Sequence, residues 1–310
     1  MSASVDILLP TYNGGRFLPD LLDSLIGQTY TNWRLLVRDD GSSDDTLSLI
    51  DTYIARGDVD IQLVSDGEIR LGACSSFSDL LIYSDADYVV FCDQDDYWKP
   101  EKLALQLDAV RQLESVHGKT KPILVHTDLE VVDEQLNSID ESFWHYQNLN
   151  PSMMQRFERL LVQNCVTGCS VMFNRALREC AVPIPEQAIM HDWWFALVAV
   201  SHGVVKHLDV ATVKYRQHGS NQVGAKRWNL HYILKMMTRS RSWYRKSLDA
   251  TYRQAEALLA SIDLDDRNVA IAREYIKLPH RGYFLRRLSI LKNGFRKMGL
   301  VRNLAYFIWV

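Results

Sequence analysis

The first hundred residues alternate short apolar runs with helical periods four times, and that rhythm leaves few folds open. Val5-Asp6-Ile7-Leu8-Leu9-Pro10 is an apolar run stopped by proline and reads as a buried strand. Thr11-Tyr12-Asn13-Gly14-Gly15 follows as a loop rich in residues that tolerate unusual backbone angles. From Phe17 to Ile26 the apolar residues keep helical spacing, and Gly27 suits the helix end. Further strands are predicted over Trp33 to Val37, Ile61 to Val64 and Tyr88 to Cys92, with helices ending near Ile54 and spanning 73–83. Strands joined by helices make a parallel sheet covered on both faces. The polar clusters at 11–15, 39–45 and 93–96 each follow a strand, which is the end of an open α/β sheet where ligands bind.

Past residue 120 the pattern is less regular. Ile123 to His126 and Ser170 to Phe173 read as strands, and Trp193 to Val200 as an apolar helix behind His191-Asp192. A closing hairpin is predicted from Val204–Leu208 and Thr212–Tyr215. Charge divides the chain: residues 225–310 hold 18 Lys+Arg against 6 Asp+Glu, leaving 17 against 32 before them. We therefore expect two parts, a body at 1–224 and a basic amphipathic helical region at 225–310. The body is long enough for a sizeable core. No run of about 18 uncharged apolar residues occurs, so no membrane-spanning helix is expected. The start of the chain lacks the pattern of a signal peptide. Five cysteines, an odd and small number, fit a reducing compartment, so the expected location is cytoplasmic.

Asp93-Gln94-Asp95-Asp96 is the sharpest local feature. Three carboxylates in four residues repel one another unless a cation sits among them, and oxygen ligands suit Mg²⁺ or Mn²⁺. A solvated acidic turn is the plain alternative; position behind an apolar strand favours the cation. An EF-hand fails, because Trp98 and Ala104 occupy the places of its glycine and closing glutamate. In Asp39-Asp40-Gly41-Ser42-Ser43-Asp44, Ser43 or Asp44 would cap the next helix, while Asp39 and Asp40 are placed to accept from a pyrimidine N–H or a ribose hydroxyl. His191-Asp192-Trp193-Trp194 holds either a helix cap or a general base against aromatic walls that raise its pKa. Dinucleotide, P-loop and nucleophile-elbow fingerprints are absent, and Cys165 with Cys169 lacks a second pair at zinc spacing.

Taken in order, these motifs resemble the inverting nucleotide-sugar glycosyltransferases of family 2, over roughly residues 5–220. Pro10-Thr11-Tyr12-Asn13-Gly14 is similar to the opening loop, Asp39 to Asp44 to the nucleoside motif, Asp93-Gln94-Asp95 to the metal-binding Asp-x-Asp, and His191-Asp192 to the late acidic motif. Within the family, His126-Thr127-Asp128-Leu129, Thr167-Gly168-Cys169, His191 to Trp194 and Tyr215-Arg216-Gln217-His218-Gly219-Ser220-Asn221 look most like bacterial rhamnosyltransferases. The resemblance implies a GT-A fold with a mostly parallel central sheet and a metal-dependent transfer in surface polysaccharide synthesis. The donor would be dTDP-β-L-rhamnose and the acceptor a glycan or lipid-linked saccharide. It implies Thr11, Tyr12, Asn13, Asp39, Asp40, Arg70, Asp93 and Gln94 at the nucleotide-sugar. Asp93, Asp95 and His218 would lie at Mg²⁺ or Mn²⁺, with Asp192 as the catalytic base. Arg70 stands where relatives often carry Asn, within Glu68-Ile69-Arg70-Leu71-Gly72-Ala73.

Two other readings stay open: a UDP-hexose or UDP-hexosamine donor, and a sugar-nucleotide-binding scaffold without turnover. Trp144, Trp193 and Trp194 would either stack on sugars or fill the core. Residues 281–310 interleave Arg and Lys with aromatics and leucines. They fit a helix in the plane of an anionic membrane, on the inner face of the cytoplasmic membrane, or a basic face at a homodimer interface or on the acidic body. No nucleic-acid module is present.

Overall fold

The computed structural model describes residues 4–65, 70–219, 224–229 and 241–310. Glu68, Ile69, Ser220 and Asn221, which form part of the resemblance, lie outside the described residues.

The chain opens β1 (Val5–Thr11), α1 (Leu18–Ile26), β2 (Trp33–Asp39), α2 (Thr46–Arg56), β3 (Asp60–Ser65), α3 (Ala73–Tyr83) and β4 (Tyr88–Phe91). The predicted alternation is therefore present. Leu18, Leu21, Leu22 and Leu25 form the buried stripe of α1, and Pro19 sits in its first turn, where a missing N–H costs nothing. Next come β5 (Tyr97–Trp98), α4 (Lys102–His117), β6 (Ile123–Val132), β7 (Ser138–Asp140), α5 (Phe143–Tyr146), α6 (Phe157–Leu160), β8 (Val171–Asn174), α7 (Arg175–Ala181), α8 (His191–His202) and β9 (Val204–Arg216). The basic region contributes α9 (Arg241–Ser261), α10 (Asp266–Ile276), α11 (Tyr283–Asn293) and α12 (Leu300–Trp309).

One sheet runs β3-β2-β1-β4-β8-β6-β9-β5, with β7 beside β6. β3, β2, β1 and β4 are parallel, and so are β6 and β9, whose long ladder makes the parallel pairing dominant. β8 enters antiparallel between β4 and β6. After β3 the chain returns to the other side of β1, so the strand order reverses between β1 and β4. A crevice opens at such a reversal, beyond the carboxyl ends of the strands.

Side chains alternate across the sheet and bury both faces. Val5, Ile7, Leu9, Leu35, Val37 and Val90 pack with α1, α2 and α4. Leu8, Leu36, Val89, Phe91 and Phe173 pack on the opposite face with α3, α7 and α8. Tyr244, Leu248, Leu258, Tyr275, Phe295 and Tyr306 of the basic region join that second cluster, so these helices share a core with the body.

The predicted hairpin is corrected to a single strand. β9 runs unbroken for 13 residues and pairs in parallel with β6. Its register slips between Leu208 and Ala211, leaving Asp209 and Val210 exposed as a bulge. The polar interruption that suggested a turn is this bulge; it has no Gly, Asn or Pro to reverse the chain. Among the described residues no helix is long and apolar enough to cross a membrane.

Candidate active site

Five segments converge on one cleft of about 1220 Å³ at the β1–β4 reversal. Thr11 to Gly14 come from the end of β1, Asp40 from the end of β2, Asp93 to Asp95 from the end of β4, and Gly168 with Asp192 from the segments before β8 and at the start of α8. The antiparallel entry of β8 brings residues 167–170 beside the acidic loop, since Met172 pairs with Val90.

The loops are stitched to one another. The Gln94 amide accepts from the Tyr12 N–H at 2.8 Å and donates to the Tyr12 carbonyl at 3.0 Å. A Cβ at Gly14 would lie 2.3 Å from Gln94 Oε1 and would push that amide off Tyr12. Asn13, at φ 46°, accepts from the Ser43 N–H, and its own N–H donates to Ser42 Oγ. Asp44 accepts from the Gly15 and Thr46 amides, which joins the first loop to the start of α2. Arg70 lies 4.0 Å over the Tyr12 ring, a cation–π contact at the edge of the cleft.

The nucleoside-motif aspartates part company. Asp40 lines the cleft. Burial pushes its pKa up, but the Leu71 amide, the Arg38 guanidinium and the Gly72 amide outweigh this and hold it below the usual carboxylate range. Asp39, expected beside the nucleotide, is fully buried behind Thr11 and is not among the residues that line the cleft. It accepts from Thr11 Oγ1, Ser42 Oγ and the Gly41 and Ser42 amides, so its lone pairs close the loop. Gln94 likewise engages its amide with Tyr12, and acts on the cleft by holding that backbone.

At the acidic loop, Arg216 from the end of β9 donates to the Asp95 carbonyl at 2.9 Å and to Asp20 Oδ2 at 2.8 Å. This pins the loop and brings His218 Nε2 to 2.7 Å from Asp95 Oδ2. Asp93, Asp96 and Cys169 place ligand atoms within 4.8 Å of one another. Burial first, then the charges of Asp95 and Asp192, push the Asp93 carboxyl up to about 7. Asp96 is fully buried, with Oδ2 lacking any hydrogen-bond partner, and its carboxyl is pushed well up. An orphaned carboxylate oxygen among neighbouring acids fits a hard divalent cation. Burial pushes the Cys169 thiol well up, and sulfur is a poor ligand for a hard cation. Asp93, Asp95 and Asp96 are the oxygen donors available, with His218 held on Asp95.

Across the cleft, Asp192 occupies the first turn of α8. Its carboxylate accepts from the Gly168 N–H at 3.0 Å and from Asn164 Nδ2 at 3.3 Å. Burial pushes it up to about 7, against the pull of the Trp193 and Gly168 amides. His191 turns away from the solvent, stacked 3.9 Å from Phe77 and edge-on to Phe91 at 4.6 Å, with neither ring nitrogen bonded. Burial drives its pKa down to about 3, so it stays neutral and acts as an aromatic spacer. Gly168 makes the arrangement fit, for a Cβ would lie 2.8 Å from His191 Nε2. Asn164 and Asp96 gained no separate role from the motifs; Thr167-Gly168-Cys169 was the available signal for the segment that holds Asp192.

The tryptophans divide. Trp194 is fully buried and donates to the Ala181 carbonyl, and Trp144 packs against His126 and His207, so both belong to the core. Trp193 lines the cleft with its Nε1 bound to the Leu160 carbonyl. Trp228 and Trp243 of the basic region also line it.

The profile of Glycosyl transferase family 2 matches residues 6–181, more than half of the chain. The Escherichia coli UDP-Glc:alpha-D-GlcNAc-diphosphoundecaprenol beta-1,3-glucosyltransferase WfgD is 30% identical over 174 residues, 56% of this chain and 61% of that protein. An uncharacterized glycosyltransferase of Rickettsia prowazekii is 24% identical over 228 residues, 71% of this chain and 65% of its own length. The chain thus spans less than two thirds of both relatives. Among solved structures, S. aureus TarS 1-349 in complex with UDP-GlcNAc aligns with a TM-score of 0.58 at 18% identity, over 94% of this chain and 75% of that one. A mannosyltransferase from Pyrobaculum calidifontis in complex with GDP-Man and Mn2+ gives 0.58 at 16%, over 94% and 72%. The GT-A fold is shared with these neighbours, and by its sequence match the chain belongs to glycosyltransferase family 2.

Proposed function

We propose that the protein transfers a hexosyl group, with inversion, from a pyrimidine nucleoside diphosphate sugar to a hydroxyl of a lipid-linked saccharide. One observation carries this reading: a half-buried carboxyl at the start of α8, pushed up to about 7, faces the same cleft as the acidic loop and the Tyr12–Arg70 pair. A single displacement needs one base and no enzyme nucleophile. Asp192 takes the acceptor proton, and its two N–H donors hold the carboxylate in place while leaving lone pairs for that proton. Asp40 and the Tyr12 ring offer an acceptor and a stacking face to the nucleoside. Asp93, Asp95 and Asp96 would hold Mg²⁺ or Mn²⁺, which when bound offsets charge on the leaving nucleoside diphosphate.

For the donor, the motifs that resemble rhamnosyltransferases favour dTDP-β-L-rhamnose, giving an α-L-rhamnoside. Similarity to a glucosyltransferase that uses UDP-Glc favours a UDP-hexose as the second reading. That relative's diphosphoundecaprenol acceptor supports a lipid-linked saccharide here. The test is thermal stabilisation by dTDP, UDP, GDP and CMP, with and without Mn²⁺, on wild type and Asp95→Asn. A metal-dependent shift, larger for dTDP than UDP and lost in Asp95→Asn, supports the rhamnosyl donor. A larger UDP shift moves the donor to UDP-hexose, and no shift with any nucleotide sinks the reading.

A further inference from the structure

The cleft is larger than the roughly 300–1,000 Å³ of a single small-ligand site, and its chemistry changes along its length. One end is acidic. The other is walled by the basic region, with Lys297, Arg302, Trp243, Tyr244, Leu304 and Ile308 facing in.

Lys297 is the unusual member. It is half-buried in the cleft wall, between the faces of Tyr244 at 5.3 Å and Tyr306 at 5.8 Å. No carboxylate among the described residues pairs with its ammonium, and its nearest charge of note is another cation, Arg302. The segment that carries it is clamped. The Lys297 N–H donates to Asn303 Oδ1 at 2.7 Å, and the next amide, of Met298, donates to Gln163 Oε1 at 2.9 Å. Gln163 adjoins Asn164, which holds Asp192. A half-buried cation without a carboxylate partner among the described residues therefore lines the cleft one short, clamped segment from Asp192. Beside it, Leu300, Leu304 and Ile308 make a stripe along α12 that runs from the cleft wall to open surface, where they are 90%, 64% and 55% exposed. A cation inside and an apolar track leading out complement an amphiphile with an anionic head and an aliphatic chain.

We propose that Lys297, supported by Arg302, binds the diphosphate that links the acceptor sugar to its lipid, and that the aliphatic chain leaves along the Leu300-Leu304-Ile308 stripe. This rests on the transferase reading and adds the residues that select a diphosphate-linked lipid over a neutral glycoside.

The test is equilibrium binding of decyl diphosphate below its micellar concentration, followed by tryptophan fluorescence with UDP and Mn²⁺ at saturation. Decyl glucoside and inorganic pyrophosphate serve as the neutral and chain-free probes. We expect saturable decyl diphosphate binding at least tenfold tighter than either probe. Lys297→Met should weaken it tenfold or more, and Lys297→Arg should retain most of it. Several results overturn the proposal: no saturable binding, equal affinity in wild type and Lys297→Met, or failure of Lys297→Arg to rescue. Pyrophosphate binding as tight as decyl diphosphate removes the lipid from the site. A parallel loss of decyl glucoside binding in Lys297→Met makes the lysine a packing element. The nucleotide shifts do not involve Lys297, so failure of the subsite and failure of the transferase reading are distinguishable.

Discussion

Asp192 makes a quantitative demand on the pH dependence of transfer. A carboxyl at its ordinary value, near 4, would be ionised throughout pH 6–8 and the rate would be flat. Burial raises this one to about 7. Only the carboxylate accepts a proton, so kcat/KM should rise about tenfold between pH 6 and pH 8, the ratio of ionised fractions about one unit below and above the midpoint. Asp93 is raised to about 7 partly by the same charge. The profile is therefore measured at saturating Mn²⁺, which holds the acidic loop ionised and leaves the limb to Asp192. Replacement by Asn should lower kcat about 10²–10⁴-fold and preserve the nucleotide-induced thermal shift. Stability moves the other way. The native carboxyl binds its proton up to about pH 7 while the unfolded one releases it near pH 4, so the wild type should lose stability relative to Asp192→Asn as pH rises between those values. A rate that stays flat from pH 6 to 8, with Asp192→Asn melting in parallel with wild type, would refute the reasoning.

Gly168→Ala should lower kcat about 10²-fold and cost about 1–3 kcal/mol of stability in a melting experiment, because the new methyl meets a His191 ring already wedged between Phe77 and Phe91. Near-wild-type turnover in that variant would show that the ring can give way. Asp96→Asn should raise the melting temperature of the metal-free protein at pH 8 and shrink the further rise on adding Mn²⁺, since it removes an enclosed carboxyl with an orphaned oxygen. An undiminished Mn²⁺ response would take Asp96 out of the donor set. Gln94→Ala should raise the donor KM several-fold more than it lowers kcat, because both its bonds position the Tyr12 backbone; a pure kcat loss counts against that role.

What could be read from the sequence was local. The strands and loops of the first hundred residues follow from periods of two and 3.6 residues and from their punctuation, and the carboxyl-end rule then gathers Tyr12, Asp40 and Asp93 without any knowledge of packing. Features set by distant partners were hidden. β9 is one strand because β6 supplies a ladder across its polar middle. Asp39 is enclosed because Thr11, 28 residues earlier, turns its hydroxyl onto it. Trp144 and Trp194 look like Trp193 in composition but meet different neighbours. In the basic region, 18 cations offered no means of picking Lys297, whose surroundings come from Gln163, Tyr244 and Asn303.

The site also accounts for the strained choices around it. A carboxyl near 7 requires enclosure, and enclosure requires something apolar behind Asp192 that makes no polar demand of its own. His191 meets that need by staying neutral between two phenylalanines, with both nitrogens unbonded. Its ring fits only because residue 168 has no side chain, and the same glycine turns its N–H onto Asp192. One missing Cβ thus serves both requirements, packing against the spacer and donating to the Asp192 carboxylate. A hydrogen-bonded histidine at 191 would fix a polar partner beside Asp192 and alter its pKa; the orphaned ring leaves enclosure as the main control. The unsatisfied nitrogens are a stability cost located where they keep the carboxyl poised to accept a proton near neutral pH.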